Sequence, residues 1–247
     1  LEGFSLACAL REVADVHLVT QQRNREAIER AGYVHGRDFT AIDSEAVAHQ
    51  VFRLEQLLRG GNGKGWTTVT ALRSLSYYHF EHLVWRQFRE ALKADRYDLV
   101  HRLTPVSPTT PSLLARRCER LGVPFMLGPL NGGVPWPRAF DGARRREKEW
   151  LSYVRGLHRL MPGYRATRRS ASAILVGSRD TYQQLSPRHR ERCVYVPENA
   201  VDPARFGARR RRRAARPLRV AFVGRLVPYK GADMLLEAAL PLVEQGL

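Results

Sequence analysis

Cysteine is scarce in this sequence: Cys8, Cys118 and Cys193 are the three in 247 residues. They are odd in number, far apart and form no C-x-x-C pair, which argues against a disulfide framework or a zinc site and fits a reducing cytosol. No run of about 18 apolar residues occurs, so a membrane-spanning helix is excluded. The opening Leu1-Glu2-Gly3-Phe4 lacks an initiator methionine and lacks a basic stretch followed by an apolar one. It is not a signal peptide and reads as an internal start. Acidic residues are also few, 24 against 41 lysines and arginines, a net charge of +17. Hydrophobic residues at 44% and charged residues at 26% leave no signature of disorder.

What is present in excess is arginine, clustered at Arg144 to Arg146 and Arg209 to Arg213. A field of this sign attracts nucleic acid, anionic lipid headgroups or phosphorylated substrates, and charge alone does not choose among them. Arginine as the ordinary surface cation explains it as well. The run Arg209 to Arg213 has no interleaved aromatics, which favours a solvated linker over a nucleic-acid arm. The segment Gly60 to Gly65 is not a phosphate loop, because Leu58 stands at the first glycine position and Gly65 follows Lys64.

The hydrophobic pattern predicts strands at 16–20, 39–42, 97–101, 124–127, 173–176, 193–196 and 218–223. Helices are expected at 4–14, 23–31 (stopped by Gly32), 44–58, 67–94, 111–121, 141–161 and 179–185, with one more from Gly231 that Pro241 breaks or kinks. Near-continuous apolar strands alternating with helices imply an α/β fold with parallel sheets covered on both faces. Residues 202–217, with Pro203, Gly207 and Pro217 around the arginine run, read as a linker. The expected organisation is a Rossmann-like domain over 1–200, a basic linker over 201–217 and the start of a second such domain over 218–247. One strand and one helix cannot bury a core, so the chain reads as truncated at both ends. The helix at 141–161 is amphipathic and basic, and its apolar stripe either packs on the domain's own sheet or lies on an anionic membrane.

The chemistry concentrates in Val223-Gly224-Arg225-Leu226-Val227-Pro228-Tyr229-Lys230-Gly231. An expected strand runs into Gly224, where a phosphate or sugar can approach the backbone; Arg225 and Lys230 set two cations around the turn; Gly231 opens a helix whose N–H groups favour an anion. The segment Gly224 to Ala238 resembles the donor-binding segment of retaining glycosyltransferase family 4. Pro197-Glu198-Asn199-Ala200-Val201-Asp202, with Phe206, is similar to that family's inter-domain segment, Ala200 replacing its usual glycine.

The resemblance implies a GT-B fold of two Rossmann-like domains. It also implies transfer of a glycosyl group from a nucleotide-diphosphate sugar to a glycan or lipid-linked hydroxyl acceptor, with retention. No bound metal and no cofactor are expected, the nucleotide sugar being the substrate. Gly224, Arg225, Lys230 and Gly231 would hold the donor diphosphate, and Ser178 and Asn199 would face the inter-domain cleft. His101, at the end of its strand, is the candidate catalytic residue in contact with the donor sugar. The loop Gly128 to Pro137 resembles the family's G-P-x-G-G loop, and Asn131, Gly132, Gly133 and Trp136 are its candidate acceptor-side residues. The acidic pair spaced E-x7-E is expected beyond Leu247, and Gly3 as a remnant of the glycine loop after the first strand. The implied setting is cytoplasmic, with peripheral contact at the inner face of the plasma membrane, in the assembly of bacterial envelope or exopolysaccharide glycans, and nucleic acid is not an expected partner. Two alternatives stand beside it: a GT-B sugar-nucleotide epimerase, and a non-catalytic basic module for membrane or nucleic acid.

Overall fold

A computed structural model describes residues 2–47, 50, 66–132, 157–197, 207, 220–224, 226 and 230–246. The chain divides into two compact units, Leu1–Pro135 with Glu149–Asn199, and Trp136–Lys148 with Ala200–Leu247. The fold of the first is α/β, with all described strand pairs parallel in two sheets.

Helix α1 (Glu2–Leu10) is followed by turns rather than continuing to residue 14. Strand β1 (Leu18–Gln21) pairs with β2 (Phe39–Ile42) in a two-stranded sheet. Pairing starts two residues later than the β-branched run suggested, because His17 is used as a side-chain bridge. Its Nδ1–H donates to Arg37 O at 3.2 Å, and its Nε2 accepts from the Thr40 hydroxyl at 2.8 Å. Between the two strands lie a 3-10 turn (Gln22–Asn24) and α2 (Arg25–Arg30). Residues 45–47 are helical, and Asp43 accepts the Glu45 N–H at 3.0 Å. The rest of the helix expected to residue 58, and the Gly60 to Gly65 loop, lie outside the described residues.

The second sheet has the order β3-β4-β5-β6, from Val100–Arg102, Phe125–Leu130, Ala173–Val176 and Cys193–Tyr195. Parallel neighbours need crossover connections. After α3 (Trp66–Lys93) come α4 (Leu114–Leu121) between β3 and β4, and α5 (Tyr164–Ser170), which leads into β5. The helices α6 (Arg179–Gln184) and α7 (Pro187–Arg190) connect β5 to β6. The core joins Leu92 of α3 and Ala115 and Cys118 of α4 to Phe125, Leu127, Ile174 and Val176 of the sheet. Burying these apolar side chains is the main favourable term in holding the layers together, at roughly 1.5–3 kcal/mol for each large one. The three cysteines are free thiols, and burial pushes that of Cys118 up to about 12.

Several expectations need correction. Gly128, Pro129 and Leu130 belong to β4 rather than to a loop, because this interior strand absorbs the proline, which has no N–H, at a register shift between Leu127 and Leu130. Residues 157–160 form a 3-10 turn and Met161 a bend, so the expected long helix does not run regularly to residue 161. Its earlier part lies outside the described residues. The helices α5 and α7 were not anticipated. In the second unit, 220–223 form no strand, and Val223 is 93% exposed. A strand is held by a ladder, and among the described residues no backbone lies beside this segment to form one. Helix α8 (Ala232–Glu244) follows and runs on through Pro241 to Glu244. No described helix is long and apolar enough to cross a membrane.

The close approach at β4 requires glycine. At Gly128, φ is +117°, and a Cβ would stand 2.3 Å from Leu175 O. At Gly132, φ is +110° with open space around the added atom. Gly128→Ala should lower the unfolding free energy by about 2–4 kcal/mol, and Gly132→Ala by about 1–2 kcal/mol, the backbone strain alone. Urea unfolding midpoints read the difference; equal losses would refute the collision.

Candidate functional site

In open parallel sheets, ligands bind beyond the carboxyl ends of the strands. Three neighbouring strands, β3, β4 and β5, bring candidate residues to that edge. His101, in β3, donates its Nε2–H to Gly128 O at 2.8 Å, which leaves Nδ1 as the acceptor of the neutral ring. Burial pulls the His101 pKa below its ordinary value, offset in part by that carbonyl. The ring is therefore a fixed, uncharged group at neutral pH.

Beyond β4, the Asn131 N–H donates to Val106 O at 2.8 Å, and the Asn131 side-chain oxygen accepts the Gly132 N–H at 2.8 Å. Beyond β5, Ser178 caps α6: its hydroxyl accepts the Thr181 N–H at 3.2 Å and donates to Thr181 Oγ1 at 2.9 Å. Thr181 in turn reaches Gly132 O at 3.5 Å. His101, Asn131, Gly132 and Ser178 thus share one edge, and Ser178 has a structural role there as a helix cap. Gly133, Trp136, Asn199 and Arg225 lie outside the described residues.

In the second unit, Gly231 is the N-cap of α8 in left-handed backbone at φ +71°, and Asp233 stands in the first turn. Lys230 and Gly224 are exposed. Gly231 leaves the start of α8 without a capping side chain, the condition under which first-turn N–H groups serve an external anion. Among the described residues, no cluster of three or more His, Cys, Asp or Glu side chains is arranged to hold a metal.

The connection from β3 to α4 is held by charged side chains that the sequence did not single out. Glu81, 1% exposed on α3, accepts hydrogen bonds from the Ser112 hydroxyl, from Leu113 N at 2.6 Å and from Leu114 N at 3.4 Å. It caps α4 from a distant helix. Arg102 is 6% exposed, and its Nη1 donates to Thr110 O at 2.8 Å. Its Nε and Nη2 are buried and make no hydrogen bond, while the guanidinium lies 5.9 Å from the Tyr77 ring centroid. Arg168, 5% exposed, donates to Pro108 O and, at 3.2 Å, to Tyr164 O, and stacks 3.7 Å from the Tyr164 ring centroid. Burial lowers its pKa to about 10.

Two buried cations and one buried carboxylate therefore hold residues 103–114, the segment that leaves His101. A legible signal existed for Glu81. Tyr77, Val84, Phe88 and Leu92 mark the inward stripe of α3 at helical spacing, and Glu81 falls on that stripe. For Arg102, alternation along β3 puts it opposite in facing to His101.

Compared with protein-family models, with curated proteins and with solved structures, the chain has no match.

Burial is the largest influence on Glu81 and raises its carboxyl pKa, against the lowering effect of Ser112 and Arg102. Ionisation of a group so raised opposes folding. The stability tied to its protonated form is full below the unfolded value of about 4.3 and is lost as pH rises through the folded value. Wild-type unfolding free energy should therefore fall relative to Glu81→Gln as pH rises above about 4. Glu81→Ala, which orphans three donors, should cost about 3 kcal/mol near pH 4 and less as pH rises, because the variant lacks the titrating group. A pH-independent gap between wild type and Glu81→Gln would sink this account.

Proposed function

We propose that the protein is a glycosyltransferase of GT-B type, moving a sugar from a nucleotide-diphosphate sugar to a hydroxyl acceptor with retention. The observation that carries this reading is the sequence Gly224-Arg225 to Lys230-Gly231, set before a 13-residue helix whose N-cap, Gly231, has no capping side chain. An anionic diphosphate suits such a helix start, and two cations at this spacing add charge-assisted hydrogen bonds to it. In the reaction, the bond from the anomeric carbon to the diphosphate oxygen breaks, a bond to the acceptor oxygen forms, and the acceptor's hydroxyl proton passes to the departing diphosphate. Arg225 and Lys230 would stabilise the charge that builds on the departing diphosphate.

In the first unit, the reading is supported by the polar groups at the ends of β3, β4 and β5. His101 is neutral, oriented by Gly128 O, and has Nδ1 as its remaining acceptor. That suits hydrogen bonding to a sugar hydroxyl. The role proposed for the protein is cytoplasmic assembly of envelope or exopolysaccharide glycans.

In the protein that carries this chain, Lys230→Ala should lower kcat with a nucleotide-sugar donor by about a hundredfold, with an unchanged far-UV circular dichroism spectrum. Turnover should require an acceptor, which separates transfer from epimerisation. Unchanged turnover in the variant would refute the donor-site assignment.

A further inference from the structure

A basic face of the first unit takes no part in the groups described so far. Helices α4 and α5 pack together, and their outer surface carries Arg116, Arg117 and Arg120 from α4 with Arg165 and Arg169 from α5. Arg159 joins them from the turn before α5. These six line two hollows, of about 250 and 500 Å³, that share Gly163 and Ala166. The acidic side chain on α4, Glu119, is taken by the Ser170 hydroxyl at 2.6 Å. None of the six is in an ion pair among the described residues.

Six cations on elements that carry a single carboxylate, Glu119, repel one another, and an anionic partner relieves that repulsion. The nature of the partner follows from what lies among the arginines. Leu160 is 77% exposed beside them, and Met161 lines the larger hollow. Apolar side chains set among arginines suit the boundary between headgroups and acyl chains. A nucleic-acid surface would instead offer flat aromatic faces for stacking. The rings here are engaged: Tyr164 by Arg168 and by the edge of His158, and Trp85 by Arg117 at 5.2 Å.

We propose that the α4–α5 face docks the protein on an anionic phospholipid bilayer, with these arginines at the headgroup phosphates and Leu160 in the interface. The docking is independent of the glycosyl-transfer reading, because every group it uses is remote in sequence from the donor segment.

The test is co-sedimentation of the full chain with phosphatidylcholine vesicles, with and without phosphatidylglycerol, at low salt. Binding is expected only to the anionic vesicles. Replacing Arg116, Arg120, Arg165 and Arg169 by Glu should lower the partition coefficient by about a hundredfold or more. The same replacement at Arg23, Arg30, Arg96 and Arg188, exposed on other elements, should lower it by about tenfold at most. Leu160→Gln should cost about tenfold. Should the fourfold variant fail to fold, Arg120→Glu with Arg165→Glu carries the same test, with a loss of about tenfold or more. Equal losses from the two sets of arginines, retention after replacement of the α4–α5 set, or equal binding to neutral vesicles each overturn the proposal. So does a DNA duplex of arbitrary sequence that binds the chain where anionic vesicles do not.

Discussion

A buried carboxylate is the constraint around which the first unit is arranged. Glu81 sits in the apolar stripe of α3, where an ionised group is costly unless its lone pairs are used. The Ser112 hydroxyl and the Leu113 and Leu114 N–H groups use them, and in doing so they supply the missing cap of α4. The arrangement couples two helices that are far apart in sequence. It also determines where the chain goes after β3, since residues 112–114 cannot move without stranding the carboxylate.

Arg102 and Arg168 continue the same logic with opposite charge. Their guanidiniums are spent mainly on backbone carbonyls, Thr110 for one, Pro108 and Tyr164 for the other. A connection that would otherwise expose a row of unpaired carbonyls thereby becomes part of the interior. Thr167 adds a further tie, accepting the Ser112 N–H at 2.8 Å. The carboxyl edge of the sheet inherits this rigidity, because Val106 in the held segment accepts the Asn131 N–H at the end of β4. His101 is fixed from the other side by Gly128 O. A site built there would be preorganised by groups that never touch a ligand.

Much of this was legible in the sequence, and the misses have specific causes. The strands 39–42 and 173–176 were read with their observed bounds, because short β-branched and apolar runs between turn residues have few other solutions. The start of β1 was misplaced because a histidine that belongs to the apolar run by position is diverted into side-chain hydrogen bonds. The Gly128-Pro129 pair looked like a loop because neither residue favours a strand. It lies in an interior strand because the register shift beside it accommodates the missing N–H. Residues 220–223 have the composition of a strand, yet no ladder forms beside them among the described residues.

By itself, the sequence determined the α/β alternation and the parallel character of the sheet. These follow from hydrophobic period and from the positions of glycine and proline, which are local properties of the chain. Only the tertiary structure decided that Glu81 caps a helix some thirty residues away, that Arg102 and Arg168 turn inward, and that arginines from α4 and α5 share one face. A charged side chain carries the same symbol in water and in a core; what it does depends on partners that folding brings within hydrogen-bonding distance, and those partners have no fixed spacing in the sequence.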